Sequence, residues 1–231
     1  MEITPRSKEK LIEEQIKKWQ VVQKKKYKKP IRPVITMSRL PGAGARVLAE
    51  QLARELKIDY FEHEIIEEIA KSSSVSERIV ETLDEQDRSI LDDWLGLFGQ
   101  SRMWSYQYFQ HLTKVVGTIG THGHALILGR GASFILPKEV SLRVLVVAPL
   151  EVRIRNVSEA YGCSESEARD RVKSREAERI GFIRKYFRTN MLDPSNYDLS
   201  INTENFKPDD AVKIIKEAFN SRQWYNYSVK K

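Results

Sequence analysis

Cysteine is almost missing from this chain: Cys163 stands alone among 231 residues. One thiol can make neither an internal disulfide nor a cysteine-cluster metal site. Long apolar runs are missing too. No stretch approaches the roughly 18 consecutive apolar residues that a membrane helix requires, and the opening residues show no secretory apolar region. The expectation is therefore a cytoplasmic protein without a membrane span. A charge excess is absent from the body of the chain. The net charge of +7 suggests a nucleic-acid binder until it is located, because residues 1–30 alone hold ten Lys/Arg against four Asp/Glu. The remainder is almost neutral, so the charge belongs to an N-terminal extension. What is present is 41% hydrophobic residues, enough for a real core. The length suits one sizeable α/β domain, with room for an insertion.

Glycine is sparse, which makes its clusters informative. The first lies in PVITMSRLPGAGARVLAEQLA, from Pro33 to Ala53. Val34, Ile35 and Met37 are of strand type. Pro41-Gly42-Ala43-Gly44 cannot continue a strand. Val47, Leu48, Leu52 and Leu56 then recur at helical spacing. Strand, glycine-rich turn and helix in that order make an anion site, because a helix N-terminus presents unpaired N–H groups and a partial positive charge. A Walker A loop reads G-x-x-x-x-G-K-[ST]. With its second glycine on Gly44, the lysine position holds Ala45 and the hydroxyl position holds Arg46. Arg39 takes the first glycine. Two arginines thus flank the loop, and arginine binds phosphate oxygens bidentately.

Around this stretch the chain alternates elements. Residues 7–27 read as an amphipathic helix through Leu11, Ile12, Ile16, Trp19 and Val22, followed by Lys24–Lys26 and Lys28–Lys29. Its stripe suits packing on the body or on a second subunit, and its charge also suits RNA or an anionic surface. Ile58–Phe61 reads as a short strand running into Glu62-His63-Glu64 and a helix. A metal is not expected on that triplet, since adjacent side chains fan apart around a helix; a substrate-side role for Glu62 or His63 suits the strand's end. Residues 75–119 read as helical, in segments Val75–Asp87, Ser89–Leu97 and Met103–Val116. Their aromatic residues, among them Trp94, Phe98, Trp104, Tyr106, Tyr108 and Phe109, read as core more readily than as a base-stacking platform. His124–Gly129 reads as an apolar strand bounded by glycine and followed by Arg130-Gly131, at the strand end where ligands bind in open parallel sheets. Leu142–Val147 is a buried strand, and a helix bearing Arg153 and Arg155 begins near Glu151. His122 and His124 read as structural. Ser164 and Glu167 form a capping box opening a long helix. On it Arg175 and Arg179 are i,i+4 neighbours, two cations that repel unless an anion lies between them. Tyr197–Ile201 is a last strand, followed by a helix from Pro208 to Phe219.

Alternating strands and helices predict a parallel sheet with helices on both faces. In four places, in order, the chain resembles the cytidylate kinase-like family, a divergent branch of the P-loop nucleoside monophosphate kinases: ITMSRLPGAGARVLAEQLA; IDYFEHEII; LILGRGASFILP with SLRVLVVAPLEVRIRNV; and REAERIGFIRKYF with DPSNYDLSINT. A basic helical extension is expected over 1–32 and a tail over 222–231; between them the resemblance implies a P-loop kinase-like α/β domain over 33–221. Within the domain it implies an acceptor-covering helical insertion at 75–119 and a lid at 164–190. It implies phosphoryl transfer from ATP to a nucleoside monophosphate, with Mg²⁺. Ser38, Arg39, Gly42, Ala43, Gly44, Ala45 and Arg46 would then surround the donor phosphates. Glu62, His63 and Arg130 would face the acceptor, and Arg46, Arg130, Arg175 and Arg179 would serve the transfer itself. Typical family members have lysine where Ala45 stands, and acidic residues where Leu128 and Gly131 stand. Losing a charged transition-state contact costs on the order of 3–4 kcal/mol. A nucleotide-binding regulatory module with little turnover is therefore the alternative. A homo-oligomer, and a nucleic-acid or protein partner for the basic arm, stay open.

Overall fold

The computed structural model describes residues 7–23, 33–96 and 107–224. Five strands form one fully parallel sheet in the order β2-β3-β1-β4-β5. They are β1 (Val34–Arg39), β2 (Asp59–Glu62), β3 (Ala125–Leu128), β4 (Ser141–Val147) and β5 (Leu199–Asn202). This is the parallel α/β sheet that the alternation of elements predicts, and it agrees with the P-loop kinase-type fold that the resemblance implies. The central strand β1 is buried on both faces, as parallel sheets require. Its period of two divides the core. Val34, with Ala125 and Ile127 of β3, faces one apolar layer. Ile35 and Met37, with Leu126, Leu128, Leu142, Val144 and Val146, face the other.

Ten helices cover the sheet among the described residues: α1 (Lys8–Gln23), α2 (Ala45–Leu56), α3 (His63–Lys71), α4 (Ser73–Val80), α5 (Glu85–Gly96), α6 (Gln107–His122), α7 (Ala132–Ile135), α8 (Leu150–Tyr161), α9 (Glu165–Phe187) and α10 (Pro208–Ser221). The strands β3 and β4 flank β1, so the chain leaving β1 does so where the strand order reverses. That reversal opens a crevice at the carboxyl ends of the strands, and the glycine loop fills its floor.

Several boundaries differ from the expected ones. The expected helix over Val75–Asp87 breaks in two. Thr82 turns inward, bonding the Ile79 carbonyl at 2.6 Å and His122 Nε2 at 2.8 Å. Asp84 then caps α5 by accepting from the Asp87 N–H at 2.8 Å. Tyr197 is not in the last strand: its hydroxyl donates to the Met191 carbonyl at 2.8 Å, closing a turn before β5. The capping box is present, with Ser164 N–H donating to Glu167 Oε2 at 3.0 Å and Glu167 N–H donating to Ser164 Oγ at 3.3 Å. Trp94 and Phe109 are core residues. Phe98, Trp104 and Tyr106, the lysine cluster 24–29 and most of the expected tail lie outside the described residues. Helix α1 does not stand away from the body: Ile12, Ile16 and Trp19 are buried in the same layer as Phe61. Among the described residues no helix is long and apolar enough to cross a membrane.

Candidate active site

The loop between β1 and α2 is shaped from behind. Gly42 has φ +78°, and a Cβ there would overlap the carbonyl of Arg153 on α8. Only glycine lets loop and helix approach this closely. Three side chains then hold three consecutive carbonyls. Arg153 Nη1 lies 3.4 Å from the Pro41 oxygen. Asn156 Nδ2 donates to the Gly42 oxygen at 2.8 Å. The Thr203 hydroxyl, shared with Val147 O, lies 3.1 Å from the Ala43 oxygen. A trans peptide points its N–H opposite to its C=O, so pinning the carbonyls backward frees the N–H groups of Gly42 and Gly44, while that of Ala43 turns back to the Leu40 oxygen at 3.3 Å. Among the described residues no protein acceptor meets the N–H of Gly42, Gly44, Ala45 or Arg46. The N-cap Gly44, at φ +75°, adds no side-chain cap to α2. The result is a concave row of amides of the kind that holds anions.

Arg153 does more than touch the loop. It is 5% exposed, donates through Nε to the Ala148 oxygen at 2.9 Å, and pairs through Nη1 with Glu176 of α9 at 2.9 Å. It therefore couples the loop to the long helix. The sequence locates Arg153 on α8 but gives it no part in the site. Thr203, by contrast, follows the carboxyl end of β5, the placement that singled out Arg130.

On the other side of the crevice three guanidinium groups converge. Arg39 does not fold back over the glycine loop. It crosses Gly129, where a Cβ would overlap it, and its Nη2 donates to His63 Nδ1 at 3.1 Å. Arg179 reaches in from α9, with Nη1 donating to the Arg39 carbonyl at 3.2 Å. Arg130 comes from the turn after β3. Gly129, Arg130 and Gly131 all have positive φ, at +89°, +50° and +70°. For arginine this is an uncommon, strained conformation of the kind that clusters at functional sites. Arg130 pairs with Glu67 of α3, and its Nε is buried without an acceptor. Neither Arg39 nor Arg179 has a carboxylate within ion-pairing distance among the described residues.

The electrostatics follow from this crowding. Burial, with the opposing fields of neighbouring arginines, lowers Arg179 to about 9. Burial lowers Arg39 to about 10, with the nearby tyrosine and carboxylates offsetting part of that. His63 falls to about 3, first from burial and then from Arg39, Arg130 and Arg179. It is a neutral imidazole at working pH. Since Arg39 donates to Nδ1, the proton of the neutral ring sits on Nε2. Glu64 Oε2 also lies 2.8 Å from Nδ1, but one nitrogen cannot accept from Arg39 and donate to Glu64. The arginine field favours the first arrangement, which leaves that carboxylate oxygen buried and without a hydrogen-bond donor.

The remaining expected site residues are more scattered. Ala45 is a buried methyl where a lysine would stand. Arg46 lies over neither loop nor arginine cluster; its Nε is 3.1 Å from both Glu50 and Glu62. Glu62, raised above the usual carboxylate range mainly by burial, is thus paired already. Arg175 is exposed on α9 and pairs with Glu178 at 3.2 Å rather than joining Arg179. Ser38 is buried, with its hydroxyl 3.3 Å from that of Ser133. The fanning expected of Glu62, His63 and Glu64 does not hold. Glu62 is still extended, at ψ 155°, while His63 begins α3. The kink gathers their ligand atoms within 4.8 Å of one another. The three guanidiniums that suppress His63 protonation would equally oppose a bare cation there.

A family model described as the cytidylate kinase-like family matches residues 34–205. The chain belongs to that family. Among curated relatives, a cytidylate kinase of Methanopyrus kandleri is 25% identical over 198 residues, covering 81% of this chain and 93% of its own. One from Methanobrevibacter smithii is 27% identical over 183 residues, covering 79% of this chain and 95% of its own. An uncharacterised protein of Eubacterium ventriosum of known structure has the same fold, with a TM-score of 0.59 at 19% identity, over 83% of this chain and all of its own. The family's matched region contains every residue of the crevice and leaves out α1.

Proposed function

We propose that this family member transfers a phosphoryl group from ATP to a nucleoside monophosphate or a similarly anionic small acceptor. The observation that carries the reading is the Arg39–Arg179 pair: two partly buried cations, the Arg179 guanidinium bonded to the Arg39 backbone carbonyl, without carboxylates in ion-pairing distance among the described residues, beside a row of open amides. Buried unpaired charge costs several kcal/mol per ion. A dianionic phosphate between them would offset that cost and restore the charge balance. Phosphoryl transfer asks for little covalent help beyond such placed positive charge and the exclusion of water.

In this reading the open amides of Gly42, Gly44, Ala45 and Arg46 hold the donor's β- and γ-phosphates. Arg130, held by Glu67, and Arg39 bind the acceptor's phosphate. Arg179 spans the two, and α9 acts as the lid that carries it. Neutral His63 donates from Nε2 to the acceptor and takes no proton. Mg²⁺ would neutralise charge between the donor phosphates. Arg46 stands where a Walker A hydroxyl would meet the ion, so the glycine loop offers the ion no side-chain oxygen of its own. A bare divalent ion is disfavoured beside three arginines, whereas one arriving on a triphosphate brings net negative charge with it.

A coupled assay with ATP across CMP, dCMP, UMP and AMP tests this reading. Turnover that disappears in Arg179→Ala supports it. One observation favours the alternative of a nucleotide-binding module without turnover: the lysine position is a buried methyl, and Arg46, the nearest substitute, is held by two carboxylates. ATP-dependent thermal stabilisation with no turnover on any acceptor would decide for that alternative.

A further inference from the structure

Strand β2 presents Glu62 at its end and passes directly into His63, yet it is one of the two short edge strands of the sheet. It is four residues long, lies at the edge, and pairs only with β3. A short edge strand with one hydrogen-bonded neighbour takes its position from whatever packs against it. Helices α2 and α3 pack on it, and α1 adds a third set of contacts. Trp19, 5% exposed, lies parallel to the His122 ring at 4.2 Å and 9°, and stacks on Phe61 of β2 at 5.8 Å. His122 is held in turn by Thr82 at 2.8 Å. At the start of β2, Asp59 accepts from Gln15 Nε2 at 3.0 Å and pairs with Lys18. Glu13 grips Arg78 of α4 through both oxygens, at 2.7 and 2.9 Å. The first and third residues of the four-residue strand are thus held by one helix, and the fourth leads into the site.

We propose that α1 is a positioning strap for the acceptor side of the crevice, with Trp19 acting through Phe61, and Lys18 with Gln15 acting through Asp59, to set Glu62 and His63. The part concerning the acceptor rests on the phosphoryl-transfer reading above; the strap itself does not. Helix α1 lies outside the residues matched by the family model, so the strap is an addition of this chain to the matched domain. Its inward-facing groups are engaged: Glu13, Gln15 and Lys18 bond to α4 and β2, and the apolar stripe is buried. The described part of the N-terminal segment is therefore built into the site's support. Displacing a positioned group by about 1 Å costs on the order of a hundredfold in rate, so a strap acting only two residues from His63 has leverage on the chemistry.

The experiment uses the full chain with Trp19→Leu, Trp19→Phe and Asp59→Asn. Amide hydrogen exchange is followed at 59–64 and at 42–46, and KM is measured separately for CMP and for ATP. Trp19→Leu and Asp59→Asn are expected to speed exchange at 59–64 on the order of tenfold, a local opening about 1.4 kcal/mol easier. Exchange at 42–46 stays as in the wild type. KM for CMP rises by a similar factor while KM for ATP stays fixed, and Trp19→Phe, which keeps the ring contact, restores both. Unchanged exchange at 59–64 overturns the proposal. Equal acceleration in β1 and β4, or a parallel rise of both KM values, also overturns it, because either marks general loosening. A wild-type protein that does not turn over CMP counts against the phosphoryl-transfer reading alone, and the exchange pattern then decides the strap.

Discussion

At the scale of single residues the site is defined by groups that are costly to the fold. Arg179 is partly buried, meets a backbone carbonyl rather than a carboxylate, and sits against Arg39. Replacing it with alanine removes a cation that the folded protein does not neutralise. The expected outcome for Arg179→Ala is a kcat/KM lower by roughly a hundredfold or more, with thermal stability equal to or above that of the wild type. A residue whose loss harms activity but spares stability is the signature of a site held under strain. Gly42→Ala should do the opposite. Its φ of +78° and the close Arg153 carbonyl make it destabilising by more than about 1 kcal/mol, and nucleotide binding is lost with the loop's shape. His63 carries the pH prediction. Its folded pKa of about 3 lies below its ordinary value of 6.5, so below that ordinary value the unfolded chain binds the extra proton. Stability is full above it and falls as pH drops toward 3, by at most about 1.4 kcal/mol per pH unit. Denaturation of wild type and His63→Gln at pH 5 and pH 7 checks this: the substitution should flatten the difference.

At the scale of elements, what was legible in the sequence was what is local. The strand, glycine turn and helix of 34–56 lie in one continuous stretch, and their pattern carries the turn geometry with it. The Ser164–Glu167 box is likewise a four-residue motif, and Ser164→Ala should cost about 1 kcal/mol of stability, read by denaturant titration. Arg46 was legible by half. The i,i+4 spacing to Glu50 is visible in the sequence, but its second partner, Glu62, arrives through the fold. Arg153 was not legible, because its significance lies in three partners, Ala148, Pro41 and Glu176, of which two belong to other elements. Losing it would strand the Glu176 carboxylate and release the Pro41 carbonyl. Arg153→Met is therefore expected to lower stability by about 3 kcal/mol and to weaken ATP binding without any direct contact to ATP. Calorimetry and ATP titration on the same variant measure both. The helix boundaries at 80–85 failed for a related reason: Thr82 turns inward to meet His122, a partner forty residues away.

At the scale of the molecule, the sheet order places β1 between β3 and β4, so turns from three parallel strands open into one crevice. The amide row comes from the turn after β1, Arg130 from the turn after β3, and Thr203 from the end of β5. Helix α9 adds Arg179 and holds Glu176 against Arg153, so the same helix touches both sides of the crevice. Neither the near-neutral charge of the body nor its composition foretold this concentration of cations, because composition does not record position: Arg39, Arg130 and Arg179 come from three separate parts of the chain. The proposed function depends on that assembly: backbone amides on one wall, unpaired guanidiniums on the other, and a phosphate between them. The most direct test is an ATP titration of the full chain followed by amide and arginine side-chain NMR. The predicted result is that the largest shifts fall on the N–H groups of Gly42, Gly44, Ala45 and Arg46 and on the guanidiniums of Arg39 and Arg179. Shifts confined to other surfaces, or none at millimolar ATP, would contradict it.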